Sequence, residues 1–237
     1  MSRFLAENHT LKCVVNLEHR KSVDFLVRKI IDIFLHPKNE CLSQTTAFKK
    51  EWHIVFLMTN NLIYEPSDDS FLLAKQVKKY AKNKKVLDIG SGSGIQALTA
   101  KKAKAKSILA SDINKLAVKK IKSLGIESIY SNLFSKIKGK YDLIIFNPPY
   151  LPKDVREDSQ SSLITSGGKK GDELTIKFLK QAKKHLAKSG IILIIISSLS
   201  PFERIESTLK GLNLKFKILE SKNLFMERLS VLEIKYN

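Results

Sequence analysis

The sequence predicts an α/β fold: a seven-stranded, doubly wound, mostly parallel sheet that ends in a C-terminal antiparallel hairpin. Three observations lead there. From Asn61 onward, short apolar runs alternate with segments of helical period. A glycine-rich turn joins one of the first such runs to the helix after it. The last two runs are separated by too few residues for a crossover helix. Alternation of strand and helix implies a parallel sheet covered on both faces, whose strands read as near-continuous apolar stretches.

Pro66 opens the first helix of this region, with Ser67, Asp68 and Asp69 in the capping turn. Their oxygens can accept orphan N–H bonds, and acids suit the positive end of a helix. Strands are expected near 86–89, 107–111, 126–130, 142–146 and 191–196, and helices near 95–104, 114–123, 172–188 and 202–210. The strands near 214–220 and 228–235 should pair antiparallel at the sheet edge, because only a short turn joins them. Phe178, Phe202 and Phe225 sit at core spacing, and His185 falls on the lysine-rich helix as a surface residue.

Residues 1–57 stand apart. They hold Cys13, Cys41, Trp52 and four of the five histidines. Their one convincing element is Ser22–Leu35, with Phe25, Leu26, Ile30, Ile31 and Phe34 at helical spacing, ending before Pro37. Cys13, His19, His36 and Cys41 invite a zinc reading, but the spacings match no usual ligand pattern, and no metal site is expected. The chain therefore divides into an extension of unknown role, 1–57, and a domain spanning 58–237.

At 43% hydrophobic and 27% charged residues, the chain is globular rather than disordered. The longest apolar run, Ile191 to Ile196, is far short of the roughly 18 residues a membrane span needs. No secretory apolar region opens the chain and the cysteines form no CxxC pair, so a cytoplasmic protein is expected. The net charge of +19 raises nucleic acid or the ribosome as partners. Of 42 basic residues, however, only six are arginine, the planar fork that grips phosphate. A lysine excess such as Lys101–Lys106 reads equally well as a solvated surface. Nucleic acid stays open as a partner but is not favoured.

Val86-Leu87-Asp88-Ile89-Gly90-Ser91-Gly92-Ser93-Gly94 is a strand, a glycine turn and a helix start. Glycine lets a backbone approach a ligand closely, and the helix N-terminus offers free N–H groups. The glycines fall at 90, 92 and 94 with Ile95 following, whereas the dinucleotide fingerprint needs its third glycine one place later. Asp88 would also repel a pyrophosphate. It suits a ligand carrying an ammonium and a sulfonium, as S-adenosylmethionine does. Asp112, at the end of the next strand, is placed to hold ribose hydroxyls or, alternatively, to cap the helix starting near Asn114. After the third strand, Asn132 can meet an adenine amine, and Leu133 offers a backbone N–H and an apolar wall.

The apolar strand Asp142–Phe146 runs into Asn147-Pro148-Pro149-Tyr150, 57 residues after Gly90. Ligands of open parallel sheets bind at the carboxyl ends of strands. A planar –NH₂ is a poor nucleophile because its lone pair is delocalised. The Asn147 side-chain oxygen can accept one of its hydrogens, and the Pro148 carbonyl, held between fixed φ angles, can accept the other. Tyr150 can stack on the planar group. This is positioning and electrostatic stabilisation without a strong base. The alternative, a rigid turn after a strand, accounts poorly for the whole tetrapeptide.

Together these residues resemble the class I methyltransferases, and within them the HemK-like group that methylates release-factor glutamine. The resemblance covers residues 61–237. Tyr64-Glu65-Pro66-Ser67-Asp68-Asp69-Ser70 resembles the signature of the eukaryotic and archaeal branch. Gly167-Gly168-Lys169-Lys170-Gly171 resembles the group's glycine turn after the fourth strand, and Glu227–Leu232 its closing strand. The resemblance implies a Rossmann-like sheet and S-adenosyl-L-methionine as cofactor. It implies that Ser70, Asp88, Gly90, Gly92, Asp112, Asn132, Leu133 and Asn147 line the cofactor, and that Asn147, Pro148, Pro149 and Tyr150 form the catalytic tetrapeptide. The group usually carries an acid where this chain has Asn132, which implies weaker cofactor affinity.

The implied activity is N5-methylation of the glutamine in the Gly-Gly-Gln loop of a peptide-chain release factor. A small zinc-binding activator protein, covering an exposed apolar edge of the sheet, is the implied partner. Residues 1–57 match nothing in the group, and one expectation is that translation starts at Met58. Two other functions remain open at this point: an N6-adenine methyltransferase acting on RNA or DNA, and a non-catalytic RNA-binding module on the same fold. The first lacks the extra recognition domain that base capture usually needs. The second should have lost Asp88, a glycine or Asn147, and none is lost.

Overall fold

Nine strands and five helices are found along the described residues, 63–153 and 165–237, of a computed structural model. The features assigned to residues 1–57, the zinc reading among them, and the Met58 start lie outside the described residues. Helix α1 (Asp68–Tyr80) precedes β1 (Lys85–Ile89), α2 (Ile95–Lys102), β2 (Ser107–Asp112), α3 (Lys115–Ser123), β3 (Glu127–Tyr130) and β4 (Tyr141–Phe146). Two short strands follow, β5 (Leu151–Pro152) and β6 (Ser166–Gly168). Then come α4 (Glu173–His185), β7 (Leu186–Ser197), α5 (Phe202–Gly211), β8 (Leu214–Leu224) and β9 (Glu227–Tyr236).

The main sheet has seven strands in the order β3-β2-β1-β4-β7-β9-β8. Strands β3, β2, β1, β4 and β7 run parallel, and β9 pairs antiparallel with both β7 and β8, so the expected hairpin closes one edge. The order reverses beside β1 and β4, which opens a crevice at the carboxyl ends of those strands. Central strands are apolar throughout because both faces are covered: Leu143, Ile144, Ile145, Ile192, Leu193 and Ile195 are buried on one face or the other. Phe178 of α4 stacks on Phe146 at 4.3 Å between centroids, fixing the last residue of β4 from one side. Leu72 and Leu73 of α1 pack on the other face.

Three local expectations need correction. The helix expected to reach residue 188 stops at His185, because Leu186 is fully buried and pairs with Tyr141, so the next residues join β7. A Cβ on Gly190 would lie 2.9 Å from the Tyr141 carbonyl, so glycine lets β7 approach β4 there. Ser67 occupies the N-cap of α1 but makes no side-chain capping bond. Phe225, expected in the core, is 94% exposed, since Phe225 and Met226 form the two-residue tip between β8 and β9. His185, expected at the surface, is half-buried: its Nδ1 meets the Gly139 carbonyl at 3.0 Å and its ring stacks on Phe134.

Candidate active site

The glycine turn leaves β1 at the crevice. Gly90, Gly92 and Gly94 have φ of 61°, 51° and 87°, a region that costs other residues roughly 1–2 kcal/mol. A Cβ on Gly90 would sit 3.3 Å from the Phe146 ring, so this turn lies against the end of the strand that carries the tetrapeptide. Asp88 is buried, and its Oδ2 accepts the Ala97 N–H of α2 at 3.2 Å. Its carboxyl is therefore turned to the orphan donors of the helix behind the turn. Burial pushes its pKa from 3.8 up to about 7, and the nearby Asp112 adds to the rise; bonds from Ser91 and Ala97 oppose it.

Asp112 ends β2 as expected. Its Oδ2 accepts the Gly92 N–H at 2.8 Å and its Oδ1 the Asn114 N–H at 2.7 Å. Helix α3 is capped by Asn114, whose side chain accepts the Leu116 N–H at 2.9 Å. Asp112 is thus the strut of the glycine turn rather than the cap, and each carboxylate oxygen keeps a lone pair for a further donor. Burial raises its pKa. Beyond β3, Asn132 is exposed and Leu133 is buried with φ of 48°, an uncommon conformation for a branched side chain. Ser131 holds that turn through its hydroxyl, which bonds the Leu133 carbonyl at 2.9 Å.

Asn147 follows β4. Its Nδ2 donates to Ser70 Oγ at 3.3 Å, which joins the start of α1 to the end of β4. Its Oδ1 is buried and has no hydrogen-bond partner. A buried amide oxygen without a donor is unfavourable by about 1–3 kcal/mol, so this atom is primed to accept a hydrogen from a ligand. Tyr150 packs against the α1 side of the core, and its carbonyl accepts the Ser200 hydroxyl at 2.9 Å. Burial, then the acids Asp69 and Glu227, push the Tyr150 phenol well above its ordinary range. It stays protonated at neutral pH.

Two sets of contacts were not visible in the sequence. Residues 166–171 press on the tetrapeptide: a Cβ on Gly167 would fall 2.7 Å from the Pro149 carbonyl, and one on Gly171 2.4 Å from that of Tyr150. Behind them Asp172 is fully buried and paired with Arg204 of α5 at 2.7 Å. The other set is polar. Gln96 Nε2 donates to the Ser70 carbonyl at 2.9 Å, and the Tyr64 hydroxyl to Asp69 Oδ2 at 2.8 Å. The glycines and the Tyr64–Ser70 signature were visible as strings; which backbone or side chain each touches was not.

Asp88, the glycine turn, Asp112, Ser70 and Asn147 are joined by bonds and contacts at one end of the sheet. Asn132 and Leu133 lie at the same strand ends, beside β2. The residues suit a cationic nucleoside: buried acids, free acceptors, and glycines that leave room for close approach. Among the described residues, no cluster of three or more His, Cys, Asp or Glu is arranged to hold a metal ion.

Comparison with known proteins gives the same picture. Residues 66–226 match the family described as methyltransferase small domain. A Methanocaldococcus jannaschii protein, provisionally named a protein N5-glutamine methyltransferase, is 38% identical over 178 residues, covering 72% of this chain and 90% of that one. A release factor glutamine methyltransferase of Borreliella burgdorferi is 34% identical over 164 residues, covering 62% of this chain and 57% of its own length. Among solved structures, the E. cuniculi Mtq2–Trm112 complex, described as responsible for methylation of the eRF1 translation termination factor, aligns with a TM-score of 0.62. It is 21% identical and covers 74% of this chain and 99% of the other, a likeness of fold.

Proposed function

The chain belongs to the methyltransferase small-domain family, and from that premise we propose that it transfers a methyl group to a glutamine side-chain nitrogen in the Gly-Gly-Gln loop of a peptide-chain release factor. The observation that carries this reading is the Asn147 oxygen, buried and without a partner at the carboxyl end of β4. A glutamine amide needs two acceptors for its two hydrogens. Asn147 Oδ1 takes one and the Pro148 carbonyl the other. With both hydrogens held, the nitrogen loses conjugation and its lone pair is directed for transfer. Tyr150 flanks the planar group. No general base is needed before the bond forms, because both hydrogens are held by neutral acceptors; afterwards one leaves as a proton to water and the other stays on the methylated nitrogen.

S-adenosyl-L-methionine, when bound, supplies the electrophilic methyl group. The fit rests on this chain's own residues. Ser70, Asp88, Gly90, Gly92, Asp112, Asn132, Leu133 and Asn147 would hold it, with Asp112 on the ribose and Asn132 and Leu133 on the adenine. The relatives support the substrate: the proteins named above are protein glutamine methyltransferases by name, and that of E. cuniculi acts on a termination factor.

The solved neighbour is bound to Trm112, and in this reading a small zinc-binding activator partners this chain at the sheet edge at β3. Tyr130, at the end of that edge strand, is exposed. The work is cytoplasmic, where release factors act; among the described residues no helix is long and apolar enough to cross a membrane. Residues 58–237 are the catalytic unit in this account.

The test is methyl transfer from labelled S-adenosylmethionine to a release factor, its Gln→Ala variant, RNA and DNA, with and without the activator. Label on the release factor that disappears with Gln→Ala supports the proposal. Label on nucleic acid alone overturns it in favour of an adenine substrate, which also presents a planar –NH₂.

A further inference from the structure

The Asn147 amide has two ends, and the chemistry above needs its oxygen, not its nitrogen, toward the acceptor. We propose that Asp69 is the positioning residue that sets this orientation, acting through Ser70. The inference rests on the role given to Asn147 and adds what holds that side chain the right way round.

Asp69 and Ser70 are 4% and 2% exposed at the start of α1, so water does not satisfy them. A carboxylate only accepts hydrogen bonds. Asp69 Oδ1 accepts both the Ser70 N–H and the Ser70 hydroxyl, the latter at 3.0 Å. Its Oδ2 accepts the Tyr64 hydroxyl at 2.8 Å. A serine hydroxyl carries a single hydrogen. With that hydrogen given to Asp69, Ser70 Oγ presents only lone pairs to Asn147. It therefore accepts from Asn147 Nδ2, at 3.3 Å. Turning the amide over would set oxygen against oxygen in a buried site. Ser70 itself is held from a second side, where Gln96 Nε2 donates to its carbonyl at 2.9 Å. Gln96 belongs to the helix that follows the glycine turn. The polarity of the network thus runs from Asn147 through Ser70 to Asp69, with Tyr64 donating from the far side. At the Asn147 end of the network Oδ1 is left buried and unpartnered, as Gln96 Oε1 is at the other.

The carboxylate is what fixes the direction. In Asp69→Asn the new amide can donate to Ser70 Oγ. The Ser70 hydrogen is then released, and the Asn147 amide can turn over so that its Oδ1 accepts from Ser70, which occupies the acceptor that the reaction needs. The change is isosteric, so packing is preserved while the direction is lost. Ser70→Ala removes the anchor altogether.

Two measurements test this on the full chain with its activator. The first is kcat with cofactor Kd and melting temperature. Asp69→Asn is expected to lower kcat about 10- to 100-fold, the size of a misplaced reacting group. Cofactor Kd should stay within about threefold and the melting temperature should hold. Ser70→Ala should lower kcat by a similar factor. A kcat within about threefold of the parent in both variants overturns the proposal. So does a parallel fall of kcat, affinity and melting temperature in Asp69→Asn, which would mark a merely structural residue. The second needs no substrate: the side-chain NH₂ resonances of Asn147, identified by their loss in Asn147→Ala. They should be well separated and slow to exchange in the parent, and should converge and exchange faster in Asp69→Asn and Ser70→Ala. Unchanged resonances overturn the proposal even if Asp69→Asn does not fold, because Ser70→Ala still reports. If the parent fails to methylate a release factor, the functional reading fails, and the resonances still decide this one.

Discussion

Gly171→Ala should damage catalysis while sparing the cofactor site. An added Cβ would sit 2.4 Å from the Tyr150 carbonyl oxygen, 3.1 Å from the Pro152 nitrogen and 3.2 Å from the Leu151 carbonyl carbon. Ordinary contact begins near 3.4 Å, so the tetrapeptide or the glycine turn must retreat by about 1 Å. The φ of 88° adds about 1–2 kcal/mol of backbone strain, and overpacking about 1–3 kcal/mol. The summed loss is about 2–5 kcal/mol in urea unfolding. Because a shift of about 1 Å near reacting atoms costs on the order of 100-fold, kcat should fall by about that factor. Cofactor Kd should change little, since Gly90 and Gly92 lie in the turn after β1 and Asp112 at the end of β2. Gly211→Ala is the control: nothing lies within 4 Å of its Cβ, and it ends a helix. It should be neutral or stabilise by about 0.5–1 kcal/mol. A Gly171→Ala enzyme with parental kcat and stability would refute the argument that this turn sets the position of Tyr150.

Asp112→Ala should raise cofactor Kd by about 10- to 100-fold, from loss of charge-assisted bonds, with kcat at saturation little changed; titration calorimetry decides, and a lowered melting temperature with unchanged Kd would make Asp112 only the strut of Gly92. Asp88 predicts a pH dependence. Its folded pKa of about 7 lies above the ordinary 3.8, so the folded state holds the proton more tightly than the unfolded chain. Stability of the cofactor-free protein should therefore fall as pH rises from about 4 to about 7, by up to about 4 kcal/mol, and level off above. Urea unfolding at pH 5 and pH 8 should show the difference in the parent and lose most of it in Asp88→Asn. Phe225→Ser, at the exposed hairpin tip, should leave stability within about 0.5 kcal/mol, as surface changes do; a large loss would return Phe225 to the core.

The strands were legible because a buried parallel strand is written as an unbroken apolar run, as in Leu143–Phe146 and Ile191–Ile196. The glycine turn, Asp112 and Asn147-Pro148-Pro149-Tyr150 were legible because each is a local string at a strand end. What stayed hidden is long-range. Asn147 and Ser70 are 77 residues apart, and no pattern announces that they share a hydrogen bond. The β5–β6 pair has no periodicity to find, being two residues and three. Phe225 misled because spacing alone cannot tell a core aromatic from one at a turn. The end of α4 was misplaced because Ala187, Lys188 and Ser189 tolerate helix or strand, and pairing of Leu186 with Tyr141 decided.

The most direct test of the central claim is tandem mass spectrometry of a release factor after incubation with S-adenosylmethionine and the enzyme with its activator. A single added methyl is expected on the glutamine of the Gly-Gly-Gln peptide. With Asn147→Ala the methyl should be absent while cofactor binding survives in part. A methyl found elsewhere, or the same yield on that glutamine with Asn147→Ala, would contradict it.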